Sequence, residues 1–175
     1  MPLLSAVLSN GCKSARQHKN MDTITKEQRS HVMSRIRSRD TKPELIVRKR
    51  LHSAGWRFRV CDKRYPGHPD VVVPRAHTFI EVRGCFWHRH GCAQTTMPKS
   101  NIPFWMAKWS RNVLRDKRHE TEWKKLGWNV IVVWECALAA IRREETLLRI
   151  CQTLDSWATK TEHRRPRRIE LPHKP

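Results

Sequence analysis

Tyrosine occurs once in this 175-residue chain, and acidic side chains are scarce, with 16 Asp and Glu against 36 Lys and Arg. The resulting formal charge of +20 and pI near 10.7 point to a polyanionic partner. Nucleic acid is the commonest such partner, while a ribosomal or anionic membrane surface shares the same charge logic. No apolar run is long enough to span a bilayer, which excludes a transmembrane helix. The opening "MPLLSAVLSNGC" has no basic leader, and Leu8 falls one place too early before Cys12 for a lipoprotein cleavage site. It reads as a disordered extension, with Met21 an alternative start. Six cysteines without a secretory signal imply a reducing compartment, hence buried thiols or metal ligands instead of disulfides. Internal repeats are lacking, and the length suits one domain with a real core. The tyrosine deficit is set against eight tryptophans, rings suited to a core or to stacking on bases.

The periodicity predicts a basic helix from about Thr25 to Ser38, with Val32, Met33 and Ile36 on one side. A second helix is predicted in "TKPELIVRKRLHSAG". There Thr41 is the N-cap, Pro43 lies in the first turn and Glu44 completes a capping box. "WRFRV" (Trp56 to Val60) alternates as a strand. "DVVV" from Asp70 and "TFIEV" (Thr78 to Val82) read as adjacent antiparallel strands. A long helix follows from "IPFWM", ending at Gly127. "WNVIVVW" (Trp128 to Trp134) reads as a strand buried on both faces. A last helix is expected from about Ala137 to Trp157. The order α-α-β-β-β-loop-α-β-α makes the fold α/β, a mixed sheet flanked by helices. The predicted layout is an extension over 1–22, a domain over 23–158 and a basic mobile tail over 159–175.

Three features carry chemistry. Asp70, in "PD", is followed after ten intervening residues by "EVR", which sets Glu81 and Arg83 on one face of the next strand. Two carboxylates on neighbouring strands can hold Mg²⁺ for phosphodiester hydrolysis, with a turn Asp plus a surface ion pair as the alternative. The segment "GCFWHRHGC" (Gly84 to Cys92) crowds thiols, imidazoles and rings into what reads as a bent, exposed loop. On the long helix, Asp116 falls within the stripe Trp105, Trp109, Val113 and Trp123. A carboxylate on an apolar stripe requires an Arg partner or a cation. His90, Cys92, Asp116 and Cys136 would make a closed tetrahedral zinc set, with Cys85 a rival ligand and His88 nearby.

From Met21 through Leu138 the chain resembles the very-short-patch-repair (Vsr) DNA mismatch endonucleases. The resemblance rests on "RDTKPE", "PGHPDVVV", "GCFWHRHGC", Phe104-Trp105, "NVLRD" and "LGWNVIVVWECAL". It implies a restriction-endonuclease-like fold with a structural zinc. It also implies an Mg²⁺-dependent nick on the 5′ side of the T of a T·G mismatch left by deamination of 5-methylcytosine. Carried over, Asp70 and the Val82 carbonyl are Mg²⁺ ligands, His88 is the general base, and Glu44 acts through the metal's water shell. His90, Cys92, Asp116 and Cys136 match the zinc ligands. Phe86, Trp87 and Trp105 match rings that wedge beside the mismatch, and Met33 matches a residue inserted from the minor groove.

Two positions depart from the family pattern. Glu81 stands where the family is usually apolar, and Arg83 where it has His or Asp, so Glu81 is an additional candidate Mg²⁺ ligand. The implied partners are mismatched duplex DNA, a cytosine-5 DNA methyltransferase and mismatch-repair proteins. The implied setting is a monomer in the bacterial cytoplasm at the nucleoid, with no membrane. A zinc-containing DNA-binding module without catalysis, or a nuclease of this fold with another target, are the competing readings.

Overall fold

The structure, a computed structural model, describes residues 25–35, 39–159 and 168–170. Helix α1 spans Lys26–Ser34 and is capped reciprocally: the Gln28 amide N–H donates to Thr25 Oγ1, and the Thr25 N–H donates to Gln28 Oε1. It ends four residues short of the expected Ser38, and residues 36–38 lie outside the described ones. Helix α2, Lys42–Ser53, has Pro43 in its first turn. It stops where Gly55 adopts φ +79° and the Trp56 N–H turns back to the Leu51 carbonyl.

The sheet has five strands in sequential order: β1 (Arg59–Val60), β2 (Val71–Val73), β3 (Thr78–Arg83), β4 (Asn129–Trp134) and β5 (Arg168–Glu170). The expected antiparallel β2–β3 pair is present, and β4 runs parallel to β3 over six residue pairs. A parallel neighbour needs a long crossover. Here it contains a single helical turn, α3 (Cys85–His88), and the 24-residue α4 (Ile102–Lys125). The sequence reading is thus met for the mixed sheet flanked by helices.

Side-chain alternation divides the core in two. Val71, Val73, Ile80, Ile131 and Val133 face α2 and the last helix, α5 (Arg143–Ala158). Val72, Phe79, Val130, Val132 and Trp134 face Trp123 of α4. All six β4 residues are buried, as expected for a strand covered on both sides.

Three expectations are corrected. Only Arg59–Val60 of the first strand pairs, because the sheet edge there is short; Trp56 is buried beneath the Arg75 guanidinium instead. The last helix does not begin at Ala137. A 3-10 turn, Glu135–Leu138, precedes it. The carbonyls freed by this break are taken by side chains: Thr146 Oγ1 donates to Ala137 and Arg143 Nε to Leu138. Finally, β5 lies within the segment expected as a tail. It pairs with Val130–Val132 and satisfies an edge of β4 that would otherwise be open.

Candidate active site and metal centre

The register of β2 and β3 explains the spacing between Asp70 and "EVR". Val71 pairs with Ile80, and one more step sets Asp70 across from Glu81. Cross-strand partners point to the same face, here the face of α4. Asp70 Oδ2 accepts the Val82 N–H at 2.7 Å. Burial raises the Asp70 pKa to about 6, with the Val82 N–H opposing it and the Glu44 charge adding to it. Burial likewise lifts Glu81 to about 7 against the pull of Arg83. Two desolvated carboxylates with raised pKa values are a site that a hard cation would stabilise.

Glu44 reaches the same place from α2 and is buried. The expected capping box does not form. Thr41 Oγ1 donates to the Glu44 carboxylate at 2.8 Å instead of accepting from the helix, because the carboxylate is drawn inward by the Asp40 N–H (3.0 Å) and Arg48 (2.7 Å). Glu44, Asp70, Glu81, Val82 and His88 all line one cleft of about 720 Å³.

His88, at the end of α3, bonds through Nδ1 to Asp116 Oδ2 on α4. Burial would raise the Asp116 pKa, but the His88 hydrogen bond and the Arg83 and Arg115 charges hold it below the ordinary carboxylate value. Arg83 is buried, its guanidinium bonded to Glu81 and, at 2.8 Å, to Glu120, with Asp116 3.9 Å away. Asp116 therefore has charged partners of its own. It does not join the thiols, which corrects the expected zinc set.

The group the fold assembles is Cys85, His90, Cys92 and Cys136, whose ligand atoms all lie within 4.8 Å of one another. His90 Nε2 is 3.2 Å from Cys85 Sγ and 3.6 Å from Cys136 Sγ. Its ring stacks on Trp134 at 4.0 Å. Three thiols and an imidazole are a closed tetrahedral zinc set. Burial pushes the Cys85 and Cys136 thiols up, and a divalent ion is the usual means of holding such thiols as thiolates. The four residues come from the start of α3, the segment after it and the 3-10 turn behind β4, so an ion here would join all three.

"GCFWHRHGC" is half-buried, not an exposed loop. The Gly84 carbonyl accepts the Trp87 and His88 N–H groups, which starts a helical turn and places Phe86 and Trp87 against α4. Phe86 lies 5.1 Å from Trp87 and 5.2 Å from Trp105, centroid to centroid. The three expected wedge rings thus form one cluster. Asn112 Nδ2 holds the Trp87 carbonyl, and Lys108 lies over the Trp87 ring at 5.7 Å. Ile102, Phe104 and Met106 stand exposed beside this cluster. Met33 is exposed on α1 and does not line the cleft.

Arg48, Glu120 and His119 were not foreseen. Glu120 follows Asp116 by four residues on the same helical stripe, so periodicity alone could have found it. Arg48 and His119 carried no such signal.

A family model described as "DNA mismatch endonuclease Vsr" matches residues 21–94. The chain is 49% identical over 125 residues to the type II nicking enzyme V.NmeAIP of Neisseria meningitidis serogroup A, covering 70% of this chain and 89% of that protein. It is 43% identical over 128 residues to the type II nicking enzyme V.XorIIP of Xanthomonas oryzae pv. oryzae, covering 73% and 94%. It is 39% identical over 136 residues to the DNA mismatch endonuclease Vsr of Escherichia coli K12, covering 78% and 86%.

Proposed function

The chain belongs to the Vsr family of DNA mismatch endonucleases, a DNA-cleaving hydrolase by kinship, and from that premise we propose that it nicks one strand of duplex DNA 5′ to the T of a T·G mismatch. The observation that carries this reading is the shared cleft. Asp70 and Glu81 face each other across β2 and β3, and His88, held by Asp116, lines the same wall.

Asp70, the Val82 carbonyl and Glu81 offer the hard oxygen donors that fit Mg²⁺, with Glu44 placed to act through its water shell. When bound, Mg²⁺ supplies positive charge at the phosphate and makes a water more acidic. His88 takes the water's proton at Nε2. Its Nδ1–H donates to Asp116, which fixes the tautomer that leaves Nε2 free to accept. Cys85, His90, Cys92 and Cys136 would hold a structural Zn²⁺ that secures the turn on which His88 sits.

Phe86, Trp87 and Trp105 are the proposed wedge beside the mismatch, with Met33 entering from the minor groove. A T·G wobble pair stacks less well than a matched pair, so opening it costs less. Trp87→Ala is expected to reduce the preference for T·G over matched duplex by roughly 1–3 kcal/mol. An unchanged ratio, measured by competition binding, would make Trp87 a packing residue only.

The lesion is the product of deaminating 5-methylcytosine, so the functional partner is a cytosine-5 DNA methyltransferase, and mismatch-repair proteins would act on the nick. The protein acts as a monomer at the nucleoid, through a domain that starts near residue 23 and takes in β5 at 168–170. No helix among the described residues is long and apolar enough to cross a membrane.

The test is a labelled duplex carrying one T·G pair, beside its matched control, over a range of Mg²⁺ concentrations. Nicking of the T-containing strand only, only at the mismatch and only with Mg²⁺, is expected. Cleavage of both duplexes alike would reassign the target, and binding without cleavage would reduce the protein to a binding module. In the same titration, Glu81→Gln is expected to raise the Mg²⁺ concentration for half-maximal nicking, because an anionic donor is lost. An unshifted midpoint would assign Glu81 to Arg83 alone.

A further inference from the structure

His119 sits on α4, one turn beyond Asp116, and lines the catalytic cleft without a part in the scheme above. Its position is enforced from the opposite side by the turn before β2. Gly67 has φ +70°, and a Cβ there would overlap the His119 imidazole. The missing side chain is what lets the ring seat against this turn. The same turn is held to α4 by Trp123, whose Nε1–H donates to the Pro66 carbonyl at 2.7 Å. Trp123 also lies 6.0 Å from the His119 ring.

The ring is thus fixed by packing. Among the described residues it makes no hydrogen bond and no ion pair. A packed imidazole with unused ring nitrogens on the wall of a cleft is preorganised for a ligand. Arg39, Lys63, Lys108 and Arg115 also line the cleft beside its carboxylates, so a DNA phosphate is an anion that the basic part of the wall would attract.

We infer that His119 contacts the substrate, its imidazole donating an N–H hydrogen bond to a non-bridging oxygen of the DNA backbone beside the scissile phosphodiester. This rests on the nicking role proposed for the cleft and adds a phosphate contact to it. Burial first, and the neighbouring Arg118 second, lower the His119 pKa below the ordinary histidine value, with Glu122 opposing. Without DNA the ring therefore favours its neutral form, which offers a single N–H donor. A neutral donor releases no counterion, so its loss weakens binding without changing the salt dependence. The loss of a Lys or Arg contact lowers the slope by about one.

The experiment measures binding of the full-length, zinc-loaded protein to a labelled T·G duplex without Mg²⁺, over a range of salt concentrations. His119→Ala is expected to bind about 3- to 10-fold more weakly, the size of one neutral hydrogen bond, with an unchanged log–log salt slope. His119→Gln, which keeps an N–H donor, is expected to recover most of the loss. A methylphosphonate at the contacted phosphate should cost the wild type more than it costs His119→Ala. Wild-type affinity in His119→Ala, a salt slope lowered by about one, or equal methylphosphonate costs in both proteins would each overturn the assignment. The contact can also be read on matched duplex. A wild type that binds but does not nick T·G DNA would count against the proposed function, not against this contact.

Discussion

Asp70→Ala is expected to lose on the order of a thousandfold or more in nicking rate while binding T·G duplex within about 2-fold of wild type. The two effects separate because they rest on different numbers of groups. One carboxylate, held in place by the Val82 N–H, provides the side-chain anion at the centre of the proposed Mg²⁺ site. The metal's contribution to transition-state charge is worth several kcal/mol, and each 1.36 kcal/mol is about tenfold in rate. Binding draws on many of the 36 Lys and Arg, so the loss of one carboxylate leaves most of it intact. Removing the carboxylate also relieves a desolvation cost, since burial lifts the Asp70 pKa to about 6. The variant should therefore fold at least as well as the wild type in the absence of metal. Single-turnover nicking with saturating protein, beside equilibrium binding, checks both halves. A variant that nicks at near wild-type rate would move the active site elsewhere. One that fails to bind would make Asp70 a structural residue.

Cys85→Ser is expected to reduce bound zinc from one ion per chain to a small fraction, and to lower the midpoint of thermal unfolding by on the order of 10–20 °C. The four candidate ligands join α3, the segment behind it and the turn after β4. These elements hold His88, Phe86 and Trp87, so nicking should fall with the zinc. The half of the core that faces α2 and α5 contains none of the ligands, whereas Cys85, Cys92 and Cys136 belong to the half that faces α4, so the sheet should survive as a less stable, still cooperative unit. Asp116→Asn is the discriminating companion. It should keep its zinc, because Asp116 bonds to His88 and lies near Arg83 rather than among the thiols. Metal analysis of both variants decides the matter. Full zinc in Cys85→Ser together with zinc loss in Asp116→Asn would restore the ligand set first expected from the sequence.

Much of the architecture was legible in the chain because it is written in local pattern. The almost continuous apolar run of β4 is the mark of a strand covered on both faces. The long 3.6-residue stripe of α4 could only be an amphipathic helix, and Gly127, with φ +81°, ends it. The ten-residue gap between Asp70 and Glu81 already implied two strands joined by a tight turn, and their register then brings the carboxylates together. The excess of positive charge pointed to nucleic acid without any fold at all.

What the sequence could not decide is which polar groups meet. Asp116 on an apolar stripe demanded a partner, and both a cation and an arginine satisfied that demand equally well on paper. Only the packing of α4 against α3 and the end of β3 brings His88 and Arg83 to it, and the same packing sets Cys85 instead beside His90, Cys92 and Cys136. The inward turn of the Glu44 carboxylate toward Arg48 depends likewise on burial, since a solvated glutamate would have closed the capping box. The seat of His119 over Gly67 joins residues more than fifty positions apart, and no periodicity encodes such a contact. Local pattern sets which elements form, because it needs only neighbours along the chain. The chemistry of the site is set by desolvation and by distances across the core, and those exist only once the helices and the sheet have packed.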